Sequence, residues 1–209
     1  MTVNGTDIAS NRPVLASGST TRAQMLARAG VEIDQQPADL DESAIISSLT
    51  APPDPLGVDD VALVLAQAKA ESVSQHHPGR LVIGCDQTLE LQGELFQKAA
   101  TMEAARHNLL RMSGKTHLLH SAVVIAADGN MSWSHVETAS MTMRDLSPEF
   151  IGRYLAQAGA GVLSSVGVYQ LEGLGAQLFE KIEGDYFTIL GLPLLPLLAE
   201  LRHRGVIAS

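Results

Sequence analysis

Residues 117–143 read HLLHSAVVIAADGNMSWSHVETASMTM, and the middle of this stretch decides the fold. Asp128-Gly129-Asn130 separates two extended runs, His117 to Ala126 and Met131 to Met143. Asp-Gly tolerates the positive φ angles that a tight connection between antiparallel strands requires, so the two runs are expected to form one long hairpin. A hairpin of that length argues against a purely parallel sheet.

On its N-terminal side, Thr101 caps a helix running to about Met112, Arg80 to Leu91 is an apolar extended run, and the spacing predicts a helix from Asp59 to about Gln75 with Asp59 or Asp60 as its cap. Thr50 to Gly57, with Pro52, Pro53 and Pro55, reads as a linker, and Val31 to Gln36 as a strand before a polar stretch holding Asp39, Asp41 and Glu42. On the C-terminal side, Ser147-Pro148-Glu149 is a helix start with cap, proline and first-turn acid. A glycine-rich stretch from Gly159 to Gly175, a strand near Gln177 to Lys181, a turn at Glu183-Gly184-Asp185 and a helix from about Pro193 to Arg204 complete the chain. Strand and helix patterns alternate without repeats, which predicts an α/β fold: a mixed, elongated sheet flanked by helices on both faces, one domain over residues 1–209 with two lobes around a cleft.

Composition narrows the partners. A formal net charge of −9 and a pI near 5.1 argue against a nucleic-acid backbone or an anionic membrane surface, both of which need clustered Lys and Arg. The single cysteine, Cys85, excludes an intrachain disulfide and fits a reducing compartment. The opening MTVNGTDIASNR has no basic segment followed by an apolar one, and no window is apolar enough for a membrane span, so the expected location is the cytoplasm.

Leu15-Ala16-Ser17-Gly18-Ser19-Thr20-Thr21-Arg22 follows a short apolar strand from Val14 to Ala16 and precedes a helical pattern that Gly30 closes. Strand, small hydroxylated loop and helix N-terminus are the parts of a phosphate cradle, with Ser17 and Ser19 supplying hydroxyls. Arg22 falls on the apolar stripe of its helix, and an inward guanidinium is expected to seek an anion such as a ligand phosphate. Lys69 sits on the stripe formed by Ala62, Leu65 and Ala66, where it must snorkel or find an anion. Asp86 interrupts the otherwise apolar Leu81–Leu89 and needs a partner there, either an ion pair or a ligand, and Gly84 two residues earlier on the same face is expected to leave room for that ligand. Ser113-Gly114-Lys115-Thr116 is no P-loop, because it follows a helix and precedes a strand, and Cys85 in an apolar strand reads as inert. His76-His77 before Pro78 reads as a cation at a helix end.

Taken together, these segments resemble the Maf family, nucleoside triphosphate pyrophosphatases of the inosine triphosphatase-like fold. LASGSTTRAQML resembles the family's opening Leu-Ala-Ser-x-Ser-Pro-Arg-Arg, Asp41-Glu42 its acidic pair, Ala68-Lys69-Ala70 its helix lysine, Ile83-Gly84-Cys85-Asp86-Gln87 its aspartate strand, and Gln97-Lys98 its Gly-Lys-Pro step. Ser113 to His117 resembles Ser-Gly-Arg-Thr-His, and the segments from Gly173 to Ala176, Ile182 to Tyr186 and Gly191 to Pro193 resemble the C-terminal signature. The likeness covers about residues 13–205. Thr20-Thr21 in place of Pro-Arg removes one phosphate-binding arginine, and Ala99 stands where a proline is usual.

The resemblance implies hydrolysis of a nucleoside triphosphate to a monophosphate and pyrophosphate, with Asp86, Glu42 and Lys98 catalytic. Ser17, Ser19, Arg22 and Lys69 would hold the substrate, and Mg2+ or Mn2+ would sit on Glu42 and Asp86, either of which could be the base. Gln87 and Glu172 stand where the branch acting on dTTP and UTP has Thr and Gln, and resemble the 7-methyl-GTP branch. A carboxylate at Glu172 suits the adjacent N1 and N2 donors of guanine better than the single N–H of uracil or thymine. The resemblance also implies a homodimer. Two rival readings are a nucleotide-binding regulator of septum formation with little turnover, and a dTTP/UTP pyrophosphatase.

Overall fold

The computed structural model describes residues 12–208; residues 1–11, part of the opening segment on which the expected location rests, lie outside the described residues. In chain order the elements are β1 (Val14–Leu15), α1 (Thr20–Arg28), β2 (Asp34–Gln35), α2 (Glu42–Leu49), α3 (Val58–Ser74), β3 (Val82–Leu91), β4 (Glu94–Phe96), α4 (Met102–Met112), β5 (Thr116–Ala127), β6 (Asn130–Met143), α5 (Pro148–Ala158), β7 (Phe179–Glu183), α6 (Tyr186–Ile189) and α7 (Leu194–His203), with 3-10 turns at Ala160–Ser164 and Leu174–Leu178. They build one seven-stranded mixed sheet in the order β2-β1-β3-β5-β6-β7, with β4 folded back on the end of β3. β1 runs parallel to β2 and β3, and every other pair is antiparallel.

The β5–β6 hairpin turns where expected. Asp128 and Gly129 take φ values of 50° and 81°, the positive angles of a turn whose twist matches its strands. It supplies the two longest strands, so it is the spine of the sheet.

Residues along β3 alternate between faces. Ile83 and Cys85 join Met25 and Leu26 of α1 and Leu194, Leu197 and Leu201 of α7 in one core. Leu89 and Leu91 are on the same face but join a second core with Leu109 and Met112 of α4 and Ile151 and Tyr154 of α5. Between them on that face lies Gln87. Its cross-strand partner is Ser121, whose partner on β6 is Glu137, so a polar row crosses three strands and divides the apolar face into two lobes. The opposite face is covered by α3, whose Ala62, Ala66 and Ala70 lie on Ala122, Val124 and Ala126.

The local differences from the sequence reading have physical reasons. β2 pairs only at Asp34 and Gln35, both exposed at the edge of the sheet, and not over Val31 to Gln36. The cap of α3 is Gly57, with no side-chain cap bond; Asp59 and Asp60 sit inside the first turn, where they complement the helix dipole without capping it. α2 arises from the polar stretch: Asp41 accepts the Ala44 N–H at 2.9 Å, and Ile45, Ile46 and Leu49 give it a short apolar stripe that is only half-buried. Asp185, read as part of a turn, caps α6 by accepting the Phe187 and Thr188 N–H groups. His76 Nδ1 lies 3.0 Å from the Ser72 carbonyl, which suits the helix-end role expected of it.

Candidate active site

One cleft of about 520 Å³ opens at the seam between the lobes. Ser17, Ser19, Arg22, Glu42, Lys69, Asp86, Gln87, Lys98 and Glu172 all line it. They come from the β1–α1 loop, α1, α2, α3, β3, the segment after β4 and the segment before Leu174–Leu178, so only the tertiary fold assembles them.

The β1–α1 loop forms the rim. Ala16 N–H bonds the Ile83 carbonyl at 2.8 Å, which ties the loop to β3. Ser19 caps α1 through the Arg22 N–H, and Ser17 Oγ accepts from the Ser19 N–H. Gln35 donates to the Ser17 carbonyl at 2.7 Å and steadies the loop from outside. Thr20 and Thr21 begin the helix on the cleft side, at the positive end of its dipole.

Arg22 corrects one expectation. Its guanidinium is turned inward by neutral oxygens, the carbonyls of Gly191 (2.7 Å) and Cys85 (2.9 Å) and the hydroxyl of Ser17 (3.2 Å), and no anion is required to explain its place. It joins α1, β3 and the Gly191 turn. No carboxylate among the described residues reaches it, so its positive charge is unbalanced beside the cleft.

Lys69 and Asp86 form the floor. Lys69 Nζ lies 2.5 Å from Asp86 Oδ1 and 3.0 Å from Glu42 Oε1. The lysine therefore meets two acids, and the acid in the apolar strand has its ion pair. The Lys69 and Asp86 side chains are 10% and 11% exposed, whereas the Glu42 side chain is 45% exposed. A pair this buried costs desolvation that one contact only partly offsets, which suits groups placed for a ligand better than groups placed for stability.

Gly84 corrects a second expectation. A Cβ there would stand 2.2 Å from the Ala66 carbonyl, so the missing side chain makes room for α3 and not for a ligand. That close approach brings Lys69 over Asp86.

The Gln87 amide nitrogen offers its two hydrogens to three acceptors, Ser121 Oγ at 2.9 Å and the Thr188 and Ile189 carbonyls at 3.1 Å each. Lys98 and Glu172 are exposed on the walls. Cys85, fully buried beneath the floor, has its thiol pushed up to about 11 by burial, which leaves it protonated and unreactive at neutral pH. The sequence reading missed Ser121, Thr188 and the wall residue Tyr169. Ser121 gave a signal, a hydroxyl inside the apolar run Leu118 to Ala126; Thr188 and Tyr169 gave none.

The cleft carries three cations, Arg22, Lys69 and Lys98, against three carboxylates, Glu42, Asp86 and Glu172. A triphosphate of about four negative charges would enter a formally neutral space. Among the described residues no cluster of three or more His, Cys, Asp or Glu could hold a metal alone. Two hard carboxylates still fit Mg2+ or Mn2+, because such ions complete their shells with water and phosphate oxygens.

A mixed α/β sheet with a hydroxylated loop, a helix N-terminus, three cations and two convergent acids at one cleft defines a protein built to receive a polyphosphate. Comparison with known proteins gives the family. The profile of Maf-like proteins matches residues 12–204. A 7-methyl-GTP pyrophosphatase of Mesorhizobium japonicum is 60% identical over 93% of this chain and 96% of its own. One from Brucella suis is 57% identical over the same shares. A protein of Paramagnetospirillum magneticum named nucleoside triphosphate pyrophosphatase is 50% identical over 92% of this chain and 98% of its own. The chain belongs to the Maf family.

Proposed function

We propose that this protein hydrolyses 7-methyl-GTP to 7-methyl-GMP and pyrophosphate. The observation that carries the reading is the buried Lys69–Asp86 pair at the floor of a polyphosphate-sized cleft, in a chain 57–60% identical to relatives named for that activity. The triphosphate lies along the Ser17–Ser19 loop and the α1 N-terminus, with Arg22, Lys69 and Lys98 on its charges. As phosphate oxygens engage Lys69, Asp86 loses its ion-pair partner and is left facing the substrate. It accepts a proton from the water that attacks the α-phosphorus; the bond from that phosphorus to the bridging oxygen breaks and pyrophosphate departs, stabilised by the cations. Glu42, the more exposed acid, would hold Mg2+ or Mn2+ together with Asp86, and the ion would supply charge neutralisation and Lewis acidity when bound.

Gln87 and Glu172 select the base, because a carboxylate accepts side by side from guanine N1 and N2 and gains further from the cationic ring that N7 methylation creates. The protein acts on free nucleotides in the cytoplasm as a homodimer. Among the described residues no helix is long and apolar enough to cross a membrane. A regulator that only bound nucleotide would have no use for a buried acid facing phosphate.

Pyrophosphate release with Mg2+ or Mn2+ over 7-methyl-GTP, GTP, dTTP and UTP tests the reading. The highest kcat/KM is expected for 7-methyl-GTP. A preference for dTTP would overturn the base selection alone, and absence of pyrophosphate from every nucleotide would overturn the enzyme.

A further inference from the structure

The polar row that divides the sheet has a direction, and that direction fixes what Gln87 shows to the cleft. Ser121, fully buried, donates its proton to the Thr188 carbonyl at 2.7 Å, so toward Gln87 its hydroxyl can only accept. The other two atoms facing the Gln87 amide nitrogen are carbonyl oxygens of Thr188 and Ile189. Three acceptors thus surround Nε2. A flipped amide would press Oε1 against two carbonyls at the same 3.1 Å and strand the amide hydrogens, so only one orientation is tolerated.

The carbonyls are themselves held. Thr188 is fully buried, and its hydroxyl donates to Glu137 at 2.9 Å, with the α6 cap Asp185 3.4 Å away. This fixes α6 against β6. Among the described residues no hydrogen-bond donor meets Gln87 Oε1, and it is not a sealed polar atom; it lies beside Gly191, as the Arg22 guanidinium does, and the Gln87 side chain lines the cleft.

We infer that Ser121 and Thr188 are positioning residues that lock the Gln87 amide with its oxygen toward the substrate, so that this point of the cleft is an obligate acceptor. The cleft then presents two acceptors to the base, Gln87 Oε1 and the Glu172 carboxylate, and selects a base edge rich in N–H donors. The inference rests on the proposed base selection by Gln87, and it accounts for how an amide, which could equally show a donor, serves that selection.

A mutant cycle tests it: kcat/KM for 7-methyl-GTP and for dTTP in the unmutated protein, Ser121→Ala, Gln87→Met and the double variant, with melting curves for all four. Ser121→Ala removes one of three acceptors and also the donor that holds the Thr188 carbonyl in place, and should lower the 7-methyl-GTP to dTTP ratio about five- to tenfold, mainly through KM for 7-methyl-GTP. In the Gln87→Met background the same change should leave the ratio unmoved, since there is no amide to orient. Should Ser121→Ala melt below the assay temperature, Thr188→Val, which keeps the volume and removes the hydroxyl, takes its place in the cycle.

An equal loss for both nucleotides, or a shift that persists without Gln87, would overturn the lock. The ratio in the unmutated protein reports separately on the base reading. If dTTP is the better substrate that reading fails, while the dependence of the Ser121 effect on Gln87 still decides whether the amide is held.

Discussion

Replacing Lys69 by Met removes the one cation between Asp86 and Glu42 and leaves the methylene stem in place. Breaking a fully buried pair from one side costs about 3–5 kcal/mol, because the remaining charge has lost both water and partner. Asp86 keeps a small opening to the cleft and Glu42 is half in solvent, so about 2–3 kcal/mol is expected here. For a chain of this length that lowers Tm by about 5–10 °C. The companion variant carries Asp86→Asn as well. With the buried charge gone the amide needs only hydrogen bonds, and at least half of the lost stability should return. Thermal melts at pH 7 in low salt, with urea titration as a second probe, measure both. If Lys69→Met melted like the unmutated protein, the floor pair would not be the buried interaction its geometry describes; if the double variant showed no recovery, the cost would come from packing in α3 and not from a stranded carboxylate.

Other consequences follow from single contacts. Gly84→Ala should cost about 3 kcal/mol or more and lower soluble yield, since β3 and α3 must part to accommodate a Cβ 2.2 Å from a carbonyl; a melt within a degree or two of the unmutated protein would refute that reading. Burial holds His117 down to about 4 from 6.5, so the unfolded chain takes up its proton first: the neutral histidine's contribution is fully present above about pH 6.5 and is lost as the pH falls toward 4, about 3 kcal/mol in all. Stability against pH should flatten over that window in His117→Gln. Asp86→Asn should lower kcat at least about a hundredfold without unfolding the protein, and near-normal turnover would remove Asp86 from the chemistry. Glu172→Gln should shift kcat/KM toward dTTP and UTP, and an unchanged ratio would make Glu172 a solvated wall residue.

The parts of this structure that could be read from sequence are those written locally. Asp128-Gly129 fixes the hairpin because positive φ is a property of two adjacent residues, and Ser147-Pro148-Glu149 announces α5 in the same way. Charges in apolar patterns marked Lys69 and Asp86, since burial of either demands a partner wherever it occurs. What could not be read depends on register and packing. Nothing in the strand sequences says that Gln87, Ser121 and Glu137 lie in one row, because that follows from pairings 34 and 16 residues apart in the chain. The partners of Arg22 are backbone carbonyls, which no side-chain pattern records. Gly84 shows the converse risk: the sequence displays the absent side chain, but whether ligand or helix fills the space is decided by α3, which packs directly against it.

Hydrolysis of 7-methyl-GTP in oxygen-18 water reports which phosphorus–oxygen bond the cleft breaks. Water held at Asp86 attacks the α-phosphorus and is expected to place one labelled oxygen in 7-methyl-GMP and none in pyrophosphate. Label in pyrophosphate, or in orthophosphate released beside a diphosphate, would contradict it.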